Sequence, residues 1–272
     1  MSDIVLDGVS KEFAPRRAGS SAVTALRGID LRIGSGELFV VVGPSGSGKS
    51  TLLDLLGGLD TPSAGSIAVG GDPVDGPGLD RGVVFQQYAL LPWRTARANV
   101  ELGLEAKRTG KRERRDRAHE FLDLVGLSGF ADRYPHELSG GMRQRVAIAR
   151  SLAFDPDVLL MDEPFAALDA QTRERLQQEL LGLWQRTDKT IVFITHDIDE
   201  AVFLGQRVAV LSARPGEVRE VVDIALDGRS GRADVRSQPA FTRYRHRIWS
   251  LLHDESAETD HPDLPEGVVP VG

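Results

Sequence analysis

Short, fully apolar runs alternate with longer amphipathic stretches along this chain. Leu38-Phe39-Val40-Val41-Val42 is β-branched, stops at Gly43, and predicts a strand buried on both faces of a parallel sheet. Gly82 to Phe85, Val158 to Met161 and Ile191 to Thr195 repeat that pattern. Helical periods lie between them, at Ser50 to Leu56 (closed by Gly57-Gly58) and at Gln171 to Arg186. Strand followed by helix, several times over, predicts an α/β core on a parallel sheet. Residues 1–33 and 65–76 instead alternate apolar and polar positions between glycine-rich turns, which predicts an antiparallel β layer beside the core. Between Tyr88 and Phe154 helix follows helix with many charges, the pattern of an inserted helical lobe. After Arg214-Pro215-Gly216 come a short strand-like piece, a polar linker and an amphipathic helix from Phe241 to Leu252. The stretch 254–272 is acidic and proline-bearing, and disorder is expected there.

Composition narrows the classes. Among 272 residues, 40 are acidic and 33 basic, a net charge of −7 that predicts no nucleic-acid partner. The absence of cysteine excludes disulfides and thiolate metal sites. The start Met1 to Gly8 lacks the basic-then-apolar order of a signal peptide, and no apolar run approaches the ~20 residues that span a bilayer. The basic run Lys107 to Arg117 reads first as a solvated helix face and second as a contact for acidic lipid headgroups.

The chemistry is concentrated after the first apolar run. Gly43-Pro44-Ser45-Gly46-Ser47-Gly48-Lys49-Ser50-Thr51 matches the phosphate-binding P-loop in full. Small residues let successive N–H groups turn toward phosphate oxygens, and the helix that follows offers its N-terminus to the same anion. Lys49 is placed to reach the β- and γ-phosphates of a nucleotide, and the Ser50 hydroxyl to ligate Mg²⁺. Val158 to Met161 delivers Asp162 and Glu163 to a strand's carboxyl end, where open α/β sheets bind ligands. Asp162 is expected to hold magnesium, and Glu163 to act as general base on the attacking water.

One further segment points to a family. Leu138-Ser139-Gly140-Gly141-Met142-Arg143-Gln144-Arg145, lying between the P-loop and Asp162, resembles the signature motif of ABC-type ATPases. The resemblance covers about residues 3–250. It implies an ABC ATPase domain at 1–226 with its helical lobe at about 88–154, then a linker and C-terminal helix at 227–253. It also implies hydrolysis of ATP with Mg²⁺ in a head-to-tail homodimer, where Ser139, Gly140, Gly141 and Met142 of one chain cover nucleotide held by the other. On the residues alone, Ser139 is equally a good N-cap for a helix.

Other roles carry over by resemblance only. Phe13 matches the aromatic that stacks on adenine, although a phenylalanine there is by itself more often core. Gln86 matches the glutamine that reaches magnesium and water, with Gln87 as its rival. Asp169 matches a contact with the partner chain, and His196 the switch histidine at the γ-phosphate. Met142 and Ala166 depart from the usual glutamine and serine, which puts ribose or cross-dimer hydrogen bonds in question.

The resemblance further implies an integral-membrane permease as partner, a solute-binding protein acting indirectly, and a peripheral place on the cytoplasmic face of the cell membrane. Tyr88 to Arg94, Glu163 to Asp169 and Ser212 to Gly216 are similar to the nitrate/sulfonate/taurine importers. An exporter cassette and a soluble non-transport ABC ATPase are the rival readings.

Overall fold

The computed structural model describes residues 2–15, 21–166, 168–187, 189–229 and 235–253. The expected disorder at 254–272, part of the expected linker, and Ala167 of the dimer-contact segment lie outside the described residues.

A six-stranded sheet forms the centre. Its strands are β3 (Leu38–Val42), β6 (Arg81–Val84), β7 (Val158–Asp162), β8 (Thr190–Thr195), β9 (Arg207–Leu211) and β10 (Val218–Asp223), in the order β10-β9-β3-β8-β7-β6. All neighbours run parallel except β10, which pairs antiparallel with β9. Side chains of β3 alternate between two cores. Leu38, Val40 and Val42 face one apolar layer, while Phe39 and Val41 face another. The first layer is closed by α4 (Gly140–Ala153), α5 (Ala170–Thr187), α6 (Ile198–Leu204) and α7 (Pro239–His253). The second is closed by α1 (Lys49–Leu56) and by a four-stranded antiparallel sheet. That sheet has the order β2-β1-β4-β5, from β1 (Ile4–Phe13), β2 (Val23–Ile33), β4 (Ala64–Val69) and β5 (Asp72–Pro73).

The apolar runs therefore become strands as expected, with β6 shifted one residue toward the N-terminus and β8 beginning one residue earlier than the pattern indicates. Two elements were not marked by the sequence. β9 completes the parallel sheet beside β3, and α6 is too short at seven residues for periodicity to register.

The lobe has its own core, where α2 (Ala96–Ala106) and α3 (Lys111–Leu124) pack on α4 through Val100, Leu104, Leu122 and Val146. Residues 88–95 are not helical, contrary to a helix-after-helix reading from Tyr88. Pro92 disfavours helix at Leu91, and Thr95 begins α2 as its N-cap by accepting from the Ala98 N–H. Tyr88 and Ala89 both take left-handed φ values, 60° and 45°. Arg150 of α4 holds that conformation by donating to the carbonyls of Tyr88 (2.9 Å) and Ala89 (2.5 Å).

Candidate nucleotide site

Because β9, β3, β8, β7 and β6 are parallel, their carboxyl ends lie along one edge. Register brings those ends level, with Val42 opposite Thr195 and Val210, Asp162 opposite Ile194, and Val84 opposite Met161. The residues just beyond the strands thus meet: Gly43 after β3, Gln86 after β6, Glu163 after β7 and His196 after β8. Glu163 and His196 line a cleft of about 390 Å³, while Gln86 reaches it through its contact with Glu163 and Gly43 through the Lys49 ammonium.

The P-loop wraps the base of that cleft. Ser45, Gly46, Gly48, Lys49, Ser50 and Thr51 line it, while Gly43 and Pro44 present their carbonyls to the Lys49 ammonium at 2.8 and 2.9 Å. Ser47, which is buried, closes the turn by donating its N–H to Pro44 O at 3.3 Å. Gly48 caps α1 at φ 85°, and a Cβ there would lie 2.6 Å from Leu26 Cδ2 and 2.8 Å from Ala25 O. Both the left-handed backbone and the close approach of β2 therefore require glycine. Burial pushes the Lys49 ammonium below its ordinary pKa, against the opposing pull of Glu163 and Asp162.

The carboxylates at the end of β7 occupy different environments. Asp162 is pushed above the usual carboxylate range by burial, an effect that the Ser50 hydroxyl opposes. Its Oδ1 is buried without a hydrogen-bond partner. Glu163 takes φ 43°, an unusual value for a non-glycine residue. Its backbone is held there by donation to Ile194 O (3.0 Å) and by acceptance from the Ala166 N–H (3.2 Å). This turn aims the side chain into the cleft, where Glu163 Oε2 meets His196 Nδ1 at 3.1 Å and Gln86 Nε2 at 3.4 Å. The Gln86 contact distinguishes it from its neighbour Gln87.

Phe13 lies at the end of β1, 43% exposed, with its ring on the cleft. It is not a core residue. Two lining residues were not singled out from the sequence, Ala25 and Arg214. Arg214 follows the end of β9, so recognising that strand was the missing signal.

Ser139, Gly140, Gly141, Met142 and Asp169 do not line this cleft. They form a separate group. Ser139 caps α4, its hydroxyl accepting from the Met142 N–H at 3.3 Å. Asp169 precedes α5 and accepts from the Thr172 N–H at 2.9 Å, a bond that holds its carboxyl below the usual range. The two helix starts touch, since a Cβ at Gly141 would lie 3.0 Å from Thr172 Cγ2.

Comparison with known proteins agrees with this geometry. A family profile described as ABC transporter matches residues 26–166. The nitrate import ATP-binding protein NrtD of Synechocystis sp. is 52% identical over 242 residues, 87% of this chain and 91% of that protein. The taurine import ATP-binding protein TauB of Pseudomonas syringae pv. tomato is 46% identical over 262 residues, 94% of this chain and 98% of that protein. Among solved structures, the dimeric structure of MJ0796, described as a bacterial ABC transporter cassette, superposes with a TM-score of 0.74 at 40% identity. That match covers 82% of this chain and 99% of the other. A second structure of the same cassette, in a post-hydrolysis state with ADP and phosphate, matches with a TM-score of 0.72. With an ABC ATPase fold, a complete P-loop and these relatives, the chain belongs to the ABC transporter family and is one of its ATPases.

Proposed function

We propose that this chain is the ATP-binding subunit of an importer and drives uptake of a small anion through a separate permease. The convergence of the P-loop, Gln86, Glu163 and His196 on one cleft, with Ser139 and Asp169 grouped elsewhere, carries this reading.

In this reading the N–H groups from Ser45 to Thr51 surround the β- and γ-phosphates, and the Lys49 ammonium neutralises them. The exposed Phe13 ring offers its face to adenine. Magnesium fits the site, because the partnerless Asp162 Oδ1 and the Ser50 hydroxyl are hard oxygen donors of the type that ion takes. Ser50, Asp162 and Gln86 would hold the ion, which would supply charge neutralisation at the phosphates. Glu163 accepts the proton of the attacking water. His196 fixes that carboxylate from one side and contacts the γ-phosphate, and Gln86 orients the water from the other.

The nucleotide site is only half built within one chain. Ser139 caps α4 outside the cleft that its own P-loop lines, and a helix start of this kind is a second anion site. A head-to-tail homodimer places it over the partner's γ-phosphate, with Asp169 beside it at the same interface. The dimeric cassette of the structural relative supports this arrangement. Chains carrying Lys49→Ala, mixed with chains carrying Ser139→Arg, are expected to recover ATPase through one composite site free of both lesions. Mixed dimers without activity above either parent would count against the arrangement.

Residues 1–226 form the ATPase unit in this reading, with the lobe at about 88–154, and 227–253 add a C-terminal helix. Among the described residues no helix is long and apolar enough to cross a membrane, so a permease partner supplies the path. The loop after Gln86, where Trp93 is 71% exposed, is the surface offered to it at the cytoplasmic face. Relatives named for nitrate and taurine import support an anion as the solute. Co-purification with the permease, followed by ATPase assays with nitrate, taurine and alkanesulfonates, tests this directly. Stimulation that requires a solute-binding protein is expected; stimulation without one would favour export.

A further inference from the structure

We propose that Arg236 is a positioning residue for His196, acting through Gln177 and Glu200. The inference rests on the reading of His196 as the γ-phosphate contact and extends it to the C-terminal segment.

His196 itself is exposed, and its placement comes from the residues on either side. The Thr195 hydroxyl donates to Glu200 Oε2 and accepts from the Asp197 N–H at 3.0 Å. The Asp197 carboxylate in turn accepts from the Glu200 N–H at 3.1 Å, capping α6. These bonds bracket His196 and fix its backbone on both sides. The Thr195 side of this bracket is held by the Glu200 carboxyl, which is 4% exposed and which burial pushes upward, while the Asp197 side is also held by Arg173 at 3.6 Å.

The second oxygen of Glu200 faces α5. Gln177 Nε2 donates to Glu200 Oε1 at 2.9 Å. An amide that gives its NH₂ to one side shows its carbonyl to the other, and Gln177 Oε1 accepts from Arg236 Nη2 at 2.7 Å. Arg236 is itself fixed by Glu174 (Nη1 to Oε1, 2.6 Å) and lies 4.9 Å from the Phe203 ring centroid. The guanidinium and the Glu200 carboxylate together fix the amide's orientation, because one can only donate and the other only accepts. Without the guanidinium the Gln177 carbonyl loses its partner, and the amide is held only by its bond to the buried Glu200 carboxylate, which it then positions less firmly. The Glu200 carboxylate is then less firmly set against Thr195, and the backbone around His196 loosens. Arg236 lies in the 3₁₀ turn Val235–Ser237, which precedes α7, so the C-terminal segment gains a line to the hydrolytic site.

The test measures ATP affinity and single-turnover hydrolysis of the purified chain with Arg236→Ala, Arg236→Lys, His196→Ala and the Arg236→Ala/His196→Ala pair. Arg236→Ala is expected to slow hydrolysis about 2- to 30-fold while ATP Kd stays within about twofold. Arg236→Lys, which keeps a cationic donor, is expected to restore most of the rate. In the His196→Ala background Arg236→Ala is expected to cost nothing further, since both changes act through one group. An unchanged rate in Arg236→Ala, or an equal loss with and without His196, overturns the proposal. If Arg236→Ala does not fold, Arg236→Met, which keeps the stem but no donor, carries the test, with the same slowing expected and a wild-type rate overturning the proposal. Normal hydrolysis by His196→Ala refutes the underlying role of His196, and this proposal with it. A slow His196→Ala beside a normal Arg236→Ala refutes this proposal alone.

Discussion

Glu163→Gln is expected to bind ATP as tightly as the native chain yet hydrolyse it about 10²- to 10⁴-fold more slowly, and to accumulate as ATP-bound dimers. The amide preserves the shape of the side chain and can still bond with His196 and Gln86, so the cleft keeps its form. It cannot take a proton from water. The backbone at Glu163 supports the assignment independently of charge. A φ of 43° costs on the order of 1–3 kcal/mol in a non-glycine residue, and the turn that stores this cost points the carboxylate between Gln86 and His196. Equilibrium ATP binding, single-turnover hydrolysis and size-exclusion chromatography check the three parts separately. Turnover near the native rate would remove Glu163 from the role of base.

Lys49→Ala is expected to fail earlier, at binding. The ammonium is the one cation that the P-loop carries into the cleft, and charge-assisted hydrogen bonds contribute about 1.5–3 kcal/mol each. Losing one such bond weakens ATP binding about 10- to 150-fold, and turnover falls with it. The fold is expected to survive, because burial already disfavours this charge in the native state. The sign follows from linkage. With a folded pKa below the unfolded one, the unfolded chain binds more protons between the two values, so native stability rises with pH across that window. Lys49→Ala should lack that rise. Isothermal titration with ATP, and thermal melts across the alkaline range, check both claims. Native-like ATP affinity in Lys49→Ala would refute the phosphate site.

Much of the site was legible because its parts are local. A five-residue apolar run ending in glycine, such as Leu38 to Val42 before Gly43, has few conformations open to it other than a buried strand. Asp162 and Glu163 follow such a strand directly, so their place at a carboxyl end could be read without a structure. Ser139 was legible both as a helix cap and as part of a signature, and it does cap α4. The contacts that join distant segments were not legible. Arg214 enters the cleft only because β9 lies next to β3, a pairing of residues far apart in the chain. The bond from Arg236 to Gln177 likewise joins separate segments, 59 residues apart. Residues 88–95 were read within a helical lobe, whereas Pro92 and the Arg150 bonds to Tyr88 and Ala89 make them a strained loop.

The sequence by itself determined the inventory: a P-loop of small residues before Lys49, two carboxylates at a strand end, and a capped glycine pair at a helix start. Backbone sterics and apolar period act over a few residues, so these assignments needed nothing more distant. Only the tertiary structure decided which of them meet. The order β9-β3-β8-β7-β6 puts Gly43, Glu163, His196 and Gln86 on one edge, and the packing of α4 beside α5 keeps Ser139 and Asp169 off it. Strand order is fixed by burial summed over both faces of the whole sheet, a non-local quantity that no single run of residues encodes.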